Sequence, residues 1–326
     1  MQGVWISSSG VEFCDSLPEP RPAPGEVLID ILAAGLCETD LQLAKGYMGF
    51  AGIPGHEFVG IPRSGRWAGQ RVVGEINCGC GTCDRCQAGW ARHCPHRTVL
   101  GILGRSGAFA QTIALPEGNL LPVPDHVSTA DAVWTEPLAA AFRIPEQLPL
   151  VPGTHALILG DGRLGNLCAQ VLARHGCRVE VVGKHSRKLA RLSRLGLATC
   201  LLSELDPARR FPLVVDCTGS PSGLATALAA VEPLGTVVLK TTVAGPHQLS
   251  LAPVVIDEVR VVGSRCGPFA PALAALAAGE IALSGMVEEV VTLAEVPAAL
   301  ERASREPLLK ILVDVGGGLK VETTGP

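Results

Sequence analysis

Ala156-Leu157-Ile158-Leu159 runs directly into Gly160-Asp161-Gly162-Arg163-Leu164-Gly165. A short apolar run, a G-x-G-x-x-G turn and a helical stretch over about Asn166–His175 follow one another. Each glycine has a physical task. Gly160 permits the tight turn, Gly162 lets backbone amides approach a pyrophosphate, and Gly165 lets helix and strand pack closely. The helix N-terminus then favours the phosphate charge. A purely structural turn would also use glycine, but it does not need three at this spacing between a strand and a helix. The stretch therefore predicts a dinucleotide-binding βαβ unit, with Gly160, Gly162, Arg163, Leu164 and Gly165 at the cofactor.

Downstream, strand-like and helix-like runs alternate. Arg178–Val182 is a second strand, Ser186–Leu195 a helix, Leu213–Cys217 a third strand and Ser222–Val231 another helix. Thr236–Lys240 and Val259–Gly263 are later strands. This alternation predicts an α/β fold with a doubly wound parallel sheet of Rossmann type over about 141–275. The end of the second strand selects the dinucleotide. An NAD site wants an acid there, about twenty residues past the glycines, to hold the ribose 2′-hydroxyl. Here Val179-Glu180-Val181-Val182 leads into Gly183-Lys184-His185-Ser186-Arg187. Gly183 takes the place of the acid, and Glu180 lies too early, inside the strand. Lys184, His185, Ser186 and Arg187 would instead embrace a 2′-phosphate, which favours NADP(H) over NAD(H). The plainer alternative is a solvated, cationic helix start.

Before residue 150 the pattern differs. Val27–Ala34 is a strand-like run after the proline-rich turn Pro18–Gly25, and Gly69–Val73 begins another. Many short runs broken by Gly and Pro predict an irregular β-rich domain of barrel type over 1–140. The tail strand Leu308–Val313 follows the last helix, so 276–326 is expected to return to that domain.

The chain has 326 residues, room for two domains of ordinary size. Hydrophobic residues at 47% against 18% charged allow a large core, and aromatics at 4% make that core mostly Ala, Val and Leu. A net charge of −4 without a basic stripe argues against nucleic acid as a partner. No charged segment followed by an apolar run opens at Met1, and the Ala/Leu-rich segment Pro271–Leu283 is too short to span a bilayer. A cytoplasmic protein with a small-molecule substrate, away from membranes, is expected.

The 12 cysteines are clustered rather than spread like a disulfide framework. Cys80, Cys83, Cys86 and Cys94 follow C-x2-C-x2-C-x7-C, with small residues between the first of them. Four thiolates in so short a loop suit a closed tetrahedral zinc site, which would staple the loop rather than catalyse. An iron–sulfur cluster takes four cysteines as well. Cys78 falls outside the spacing. Earlier, Gly35-Leu36-Cys37-Glu38-Thr39-Asp40 and Gly55-His56-Glu57 place a thiolate, an imidazole and a carboxylate in one segment. Those are zinc-ligand types, and Thr39 adds a hydroxyl placed to pass a proton. Singly, Cys37 would be a small buried hydrophobe and His56 a structural histidine.

With these motifs the chain resembles the zinc-dependent medium-chain alcohol and polyol dehydrogenases, in particular the sorbitol, threonine and glucose dehydrogenase branch. The resemblance runs in order through the segments above, Trp134-Thr135-Glu136-Pro137-Leu138-Ala139, Val215-Asp216-Cys217-Thr218-Gly219 and Val262-Gly263-Ser264-Arg265. It implies a GroES-like catalytic domain beside the Rossmann domain. It implies Cys37 and His56 as catalytic zinc ligands, Glu57 as a carboxylate that ligates zinc or waits behind it, Glu136 as a further ligand and Thr39 as the proton relay. It implies reversible hydride transfer between an alcohol and NADP(H), two zinc ions per chain and a homodimer or homotetramer. The strands Val237–Lys240 or Val259–Val262 are expected at an edge able to pair across subunits. Tyr47, Met48, Phe50 and Trp134 are expected to line the pocket. Some positions depart from the pattern. The segment from Glu57 to Arg71 is short, Gln70 replaces a usual Asp, and Gln42 stands where some relatives carry a relay histidine. A zinc-free quinone or enoyl reductase, or a non-catalytic NADP(H)-binding redox sensor, are the alternatives; the ligand set Cys37, His56 and Glu136 speaks against the first.

Overall fold

The computed structural model describes residues 1–242 and 249–321, so His247 lies outside the described residues. The chain divides into two compact units. The first comprises Met1–Glu136, Phe269–Ala278 and Leu283 to the end of the described residues; the second comprises Pro137–Pro268 and Gly279–Ala282.

The first unit is built on a seven-stranded sheet. Its order is Val287–Thr292, Lys310–Asp314, Glu26–Gly35, Glu57–Pro62, Val72–Gly74 and Leu120–Pro122, with Thr112–Pro116 also paired to Glu26–Gly35. Pairing is antiparallel except between Val287–Thr292 and Lys310–Asp314. Glu26–Gly35 is the central strand. Val27, Ile29 and Ile31 alternate into the core at the strand period of two. The register then places the chemistry. Gly35 pairs with Glu57 on one side and with Leu312 on the other, so the tail strand meets the residues around Cys37.

The second unit is a six-stranded parallel sheet in the order Ala198–Leu201, Arg178–Gly183, His155–Leu159, Phe211–Asp216, Val231–Leu239 and Arg260–Gly263. Leu157, Ile158, Val214 and Val215 are fully buried, as expected of strands covered on both faces. Helices Arg163–Arg174, Ser186–Arg194 and Gly223–Ala230 link its strands. The first of these begins at Arg163, earlier than the expected Asn166, because Gly162 already serves as its N-cap. Of the two expected edges, Val237–Lys240 is corrected: Val231–Leu239 is paired on both sides, since Arg260–Gly263 covers it. The alternative, Val259–Val262, overlaps the strand Arg260–Gly263, which among the described residues forms one edge of the sheet, Ala198–Leu201 forming the other. No helix among the described residues is long and apolar enough to cross a membrane.

Candidate active site

Cys37 leaves the central strand and caps the helix Glu38–Ala44. Its N–H donates to Asp40 Oδ2 at 2.8 Å, while the N–H of Gly55 donates to Asp40 Oδ1 at 3.1 Å. The fully buried Asp40 thus ties the loop of Cys37 to the loop of His56. Gly55 has φ +96°, and a Cβ there would lie 2.8 Å from the backbone nitrogen of Phe109. Only glycine fits this turn into His56.

The ligand atoms of Cys37, His56 and Glu57 all lie within 4.8 Å of one another. Glu57 Oε1 is buried with no hydrogen-bond partner, so it keeps lone pairs for a cation. His56 Nδ1 stands 3.4 Å from Asp40 Oδ1. Burial opposes a charged imidazole, but Asp40 and Cys37 outweigh it and push His56 well above its ordinary value. The same negative surroundings favour a metal cation, and thiolate, imidazole and carboxylate together fit zinc.

A lysine of the tail strand Lys310–Asp314, outside every motif above, also enters the site. Lys310 is fully buried, contacts Glu57 Oε2 and donates to Leu36 O at 3.2 Å. Its ammonium lies 5.1 Å from the centre of the Trp134 ring. Gly35 makes room for the pair: a Cβ there would come within 2.7 Å of Lys310 Nζ. Burial pulls the Lys310 ammonium down to about 8. A lysine inside the apolar run Leu308–Val313 was the available signal, since a buried charge needs a partner. Asp40 carried a signal as well, an acid three residues past a helix cap.

Thr39 Oγ1 is 4.0 Å from Cys37 Sγ. Gln42 donates to Glu38 at 2.8 Å. Glu136 is half-buried in the first turn of the helix Thr135–Gln147 and lies outside the mutually close set. Met48 and Phe50 line a cavity of about 390 Å3 with Trp5, Ile53, Ile102 and Leu103. Trp134 is corrected: it is fully buried against Lys310 rather than lining a pocket.

The Sγ atoms of Cys80, Cys83, Cys86 and Cys94 also converge within 4.8 Å. The N–H groups of Cys80 and His96 donate to Cys94 Sγ at 3.4 and 3.3 Å. Thr82 hydrogen bonds pull the Cys80 thiol down to about 5. A Cβ on Gly79 would lie 2.8 Å from Cys86 Sγ, so the loop wraps its thiols closely. Four converging sulfurs, one already favouring thiolate, fit a tetrahedral zinc ion.

In the second unit, Gly160 has φ +118° and Gly162 caps the helix Arg163–Arg174. A Cβ on Gly165 would overlap the Gly160 carbonyl, so this glycine permits the close strand–helix approach. Gly183 ends the second strand. Glu180 is held by Arg209 through two bonds of 2.7 and 2.6 Å. It is therefore engaged away from the strand end. Asp161 is buried, and its Oδ2 accepts the N–H groups of Lys184 and His185 at 2.8 and 2.7 Å.

Comparison with known proteins agrees with this architecture. Residues 23–125 match the alcohol dehydrogenase GroES-like domain, and residues 164–280 match the zinc-binding dehydrogenase model. An L-threonine 3-dehydrogenase of Streptomyces coelicolor is 30% identical over 285 residues, covering 80% of this chain and 80% of that protein. One from Streptomyces avermitilis is 35% identical over 213 residues; that match covers 61% of this chain and 59% of the relative's length. A zinc-binding dehydrogenase structure from Sinorhizobium meliloti 1021, bound to NADP, superposes with a TM-score of 0.86 at 25% identity, covering 96% of this chain and 98% of that one. The chain belongs to the zinc-dependent medium-chain alcohol dehydrogenase family.

Proposed function

We propose that the protein interconverts an alcohol and its carbonyl compound with NADP(H), using zinc at Cys37 and His56. The observation that carries this is the convergence of Cys37, His56 and Glu57, braced from behind by Lys310. Zinc, when bound, would stabilise negative charge on the substrate oxygen. Thr39 passes the hydroxyl proton outward. Gln42 cannot take it up as an imidazole would, so the proton goes to water. Lys310 engages one oxygen of Glu57 and leaves the other free for the cation. Glu136, half-buried in the first turn of the helix Thr135–Gln147, would supply a further carboxylate to the zinc beside Glu57. Cys80, Cys83, Cys86 and Cys94 would hold a second, structural zinc. Lys184, His185, Ser186 and Arg187 contact the cofactor's 2′-phosphate; the NADP held by the Sinorhizobium meliloti structure supports this choice.

The substrate class is secondary alcohols, polyols or sugars. The threonine dehydrogenase relatives add L-threonine to the candidates, since its reacting group is a secondary alcohol. The test has two parts. Metal analysis should find two zinc ions per chain, and C37S should retain one; a single ion unaffected by C37S sinks the reading. A screen of alcohols, sugars, polyols and L-threonine with both cofactors should show NADPH-linked turnover. A K184A/R187A double variant with unchanged NADPH affinity would refute the phosphate contacts.

The protein is further proposed to be a homodimer or homotetramer. Leu251, Val255, Ile256 and Val261 are exposed, and Val261 lies on the open sheet edge Arg260–Gly263.

A further inference from the structure

Gly183 stands where the dinucleotide fold usually places an acid, and the space beside it is filled. A Cβ built on Gly183 would overlap Cβ, Cγ and Oδ2 of Asp161. Asp161 lies between the first two glycines of the motif and is 6% exposed. Its carboxylate is turned onto the loop that follows the second strand. Oδ2 accepts the N–H groups of Lys184 and His185 at 2.8 and 2.7 Å. His185 Nδ1 lies 3.1 Å from both carboxylate oxygens. Three donors on one buried carboxylate leave it little capacity for a ribose hydroxyl. They also hold the loop backbone and set the plane of the His185 ring, whose side chain is 41% exposed.

We propose that Asp161 is a positioning residue that sets dinucleotide preference: it occupies the space of the usual acid and, by holding the 184–185 backbone and His185 Nδ1, presents His185 and Lys184 to a 2′-phosphate. This rests on the NADP(H) reading above. It also explains why position 183 is glycine: any side chain there would displace Asp161.

The test measures NADPH and NADH dissociation constants by fluorescence titration of the zinc-loaded protein, with Tm recorded for each variant. D161A should weaken NADPH about tenfold and leave NADH within about twofold. H185A should weaken NADPH by no more than D161A does, and D161A/H185A should lose no more than D161A alone, because His185 acts only where Asp161 holds it. D161N, which keeps the size and one acceptor, should fall between wild type and D161A. G183D alone should lower Tm, since its side chain has no room. D161G/G183D should regain Tm and prefer NADH, because an acid then stands at the strand end. If D161A keeps wild-type NADPH affinity, or loses NADH at least as strongly as NADPH, the inference is overturned; in the latter case Asp161 itself holds the ribose. The wild-type preference reads the cofactor assignment separately. Wild-type NADPH preference with an unaffected D161A overturns the inference alone.

Discussion

Lys310 and Glu57 form an ion pair with both side chains fully buried. Removing one partner of such a pair leaves an uncompensated charge in the core. K310M should therefore lower stability by roughly 3–5 kcal/mol in urea denaturation, and E57Q/K310M should recover much of the loss. Wild-type stability in K310M would show that the pair holds nothing. Thr39, the proposed proton relay, can be tested separately. T39V should cut kcat by about 10²-fold with little change in cofactor affinity, while T39S should retain most activity. An equal loss in T39S would point to packing rather than to the hydroxyl. Cys37, His56 and Glu57 were readable as ligand types from the sequence, because each carries a donor group that zinc prefers. Lys310 was not, since its meaning depends on a strand partner far away along the chain.

At the scale of elements, the strand Glu26–Gly35 is anchored at its start by Arg105. That guanidinium contacts Glu26 at 2.6 Å, Ala114 O at 2.8 Å and Thr98 Oγ1 at 3.0 Å. Burial raises the Glu26 carboxyl, but the Arg105 hydrogen bond, the Ala23 N–H and the Arg105 charge outweigh it and hold it below its ordinary value. A folded pKa below the unfolded one adds stability above the ordinary carboxylate range, and that stability is lost as pH falls through the folded value. A Tm series between about pH 3 and pH 7 should show this acid limb flattened in E26Q. An unchanged limb would remove Glu26 from the acid response. The four-cysteine loop makes a second prediction at this scale. Its helices are short, Asp84–Gln87 and Ala91–His93, and most of its surface is exposed. Folding of so small a piece would depend on the proposed structural zinc. Strong chelators should make trypsin cut first at Arg85 or Arg92, before the parallel sheet is touched; equal protection of the loop without metal would refute it.

For the whole molecule, the described residues of the second unit include an apolar surface that its own core does not cover. Val255 and Ile256 are exposed at 75% and 77%, and both lie on the short helix Ala252–Ile256 just before the open edge strand. A second copy of the chain, adding its own edge strand, would cover such residues symmetrically. V255D/I256D should therefore shift the protein to monomers in size-exclusion chromatography with light scattering. A wild-type monomer, or an unmoved oligomer in the variant, would count against this surface.

What the sequence determined by itself was local: the strand–glycine–helix unit, the alternation behind the parallel sheet, and the cysteine spacing. In each case the informative residues are near neighbours, so periodicity and spacing carry the physics. The tertiary structure decided what depends on register and packing. It chose between the two strands the sequence offered as an edge, placing Arg260–Gly263 there and Val231–Leu239 inside, because strand order is set by crossovers rather than by composition. It turned Trp134 from a pocket residue into a buried neighbour of Lys310. It set Glu57 and Leu312 on opposite sides of Gly35, and so brought Lys310 from the tail to Glu57. And it filled the space beside Gly183 with Asp161, a side chain from another turn, which no spacing rule could have shown.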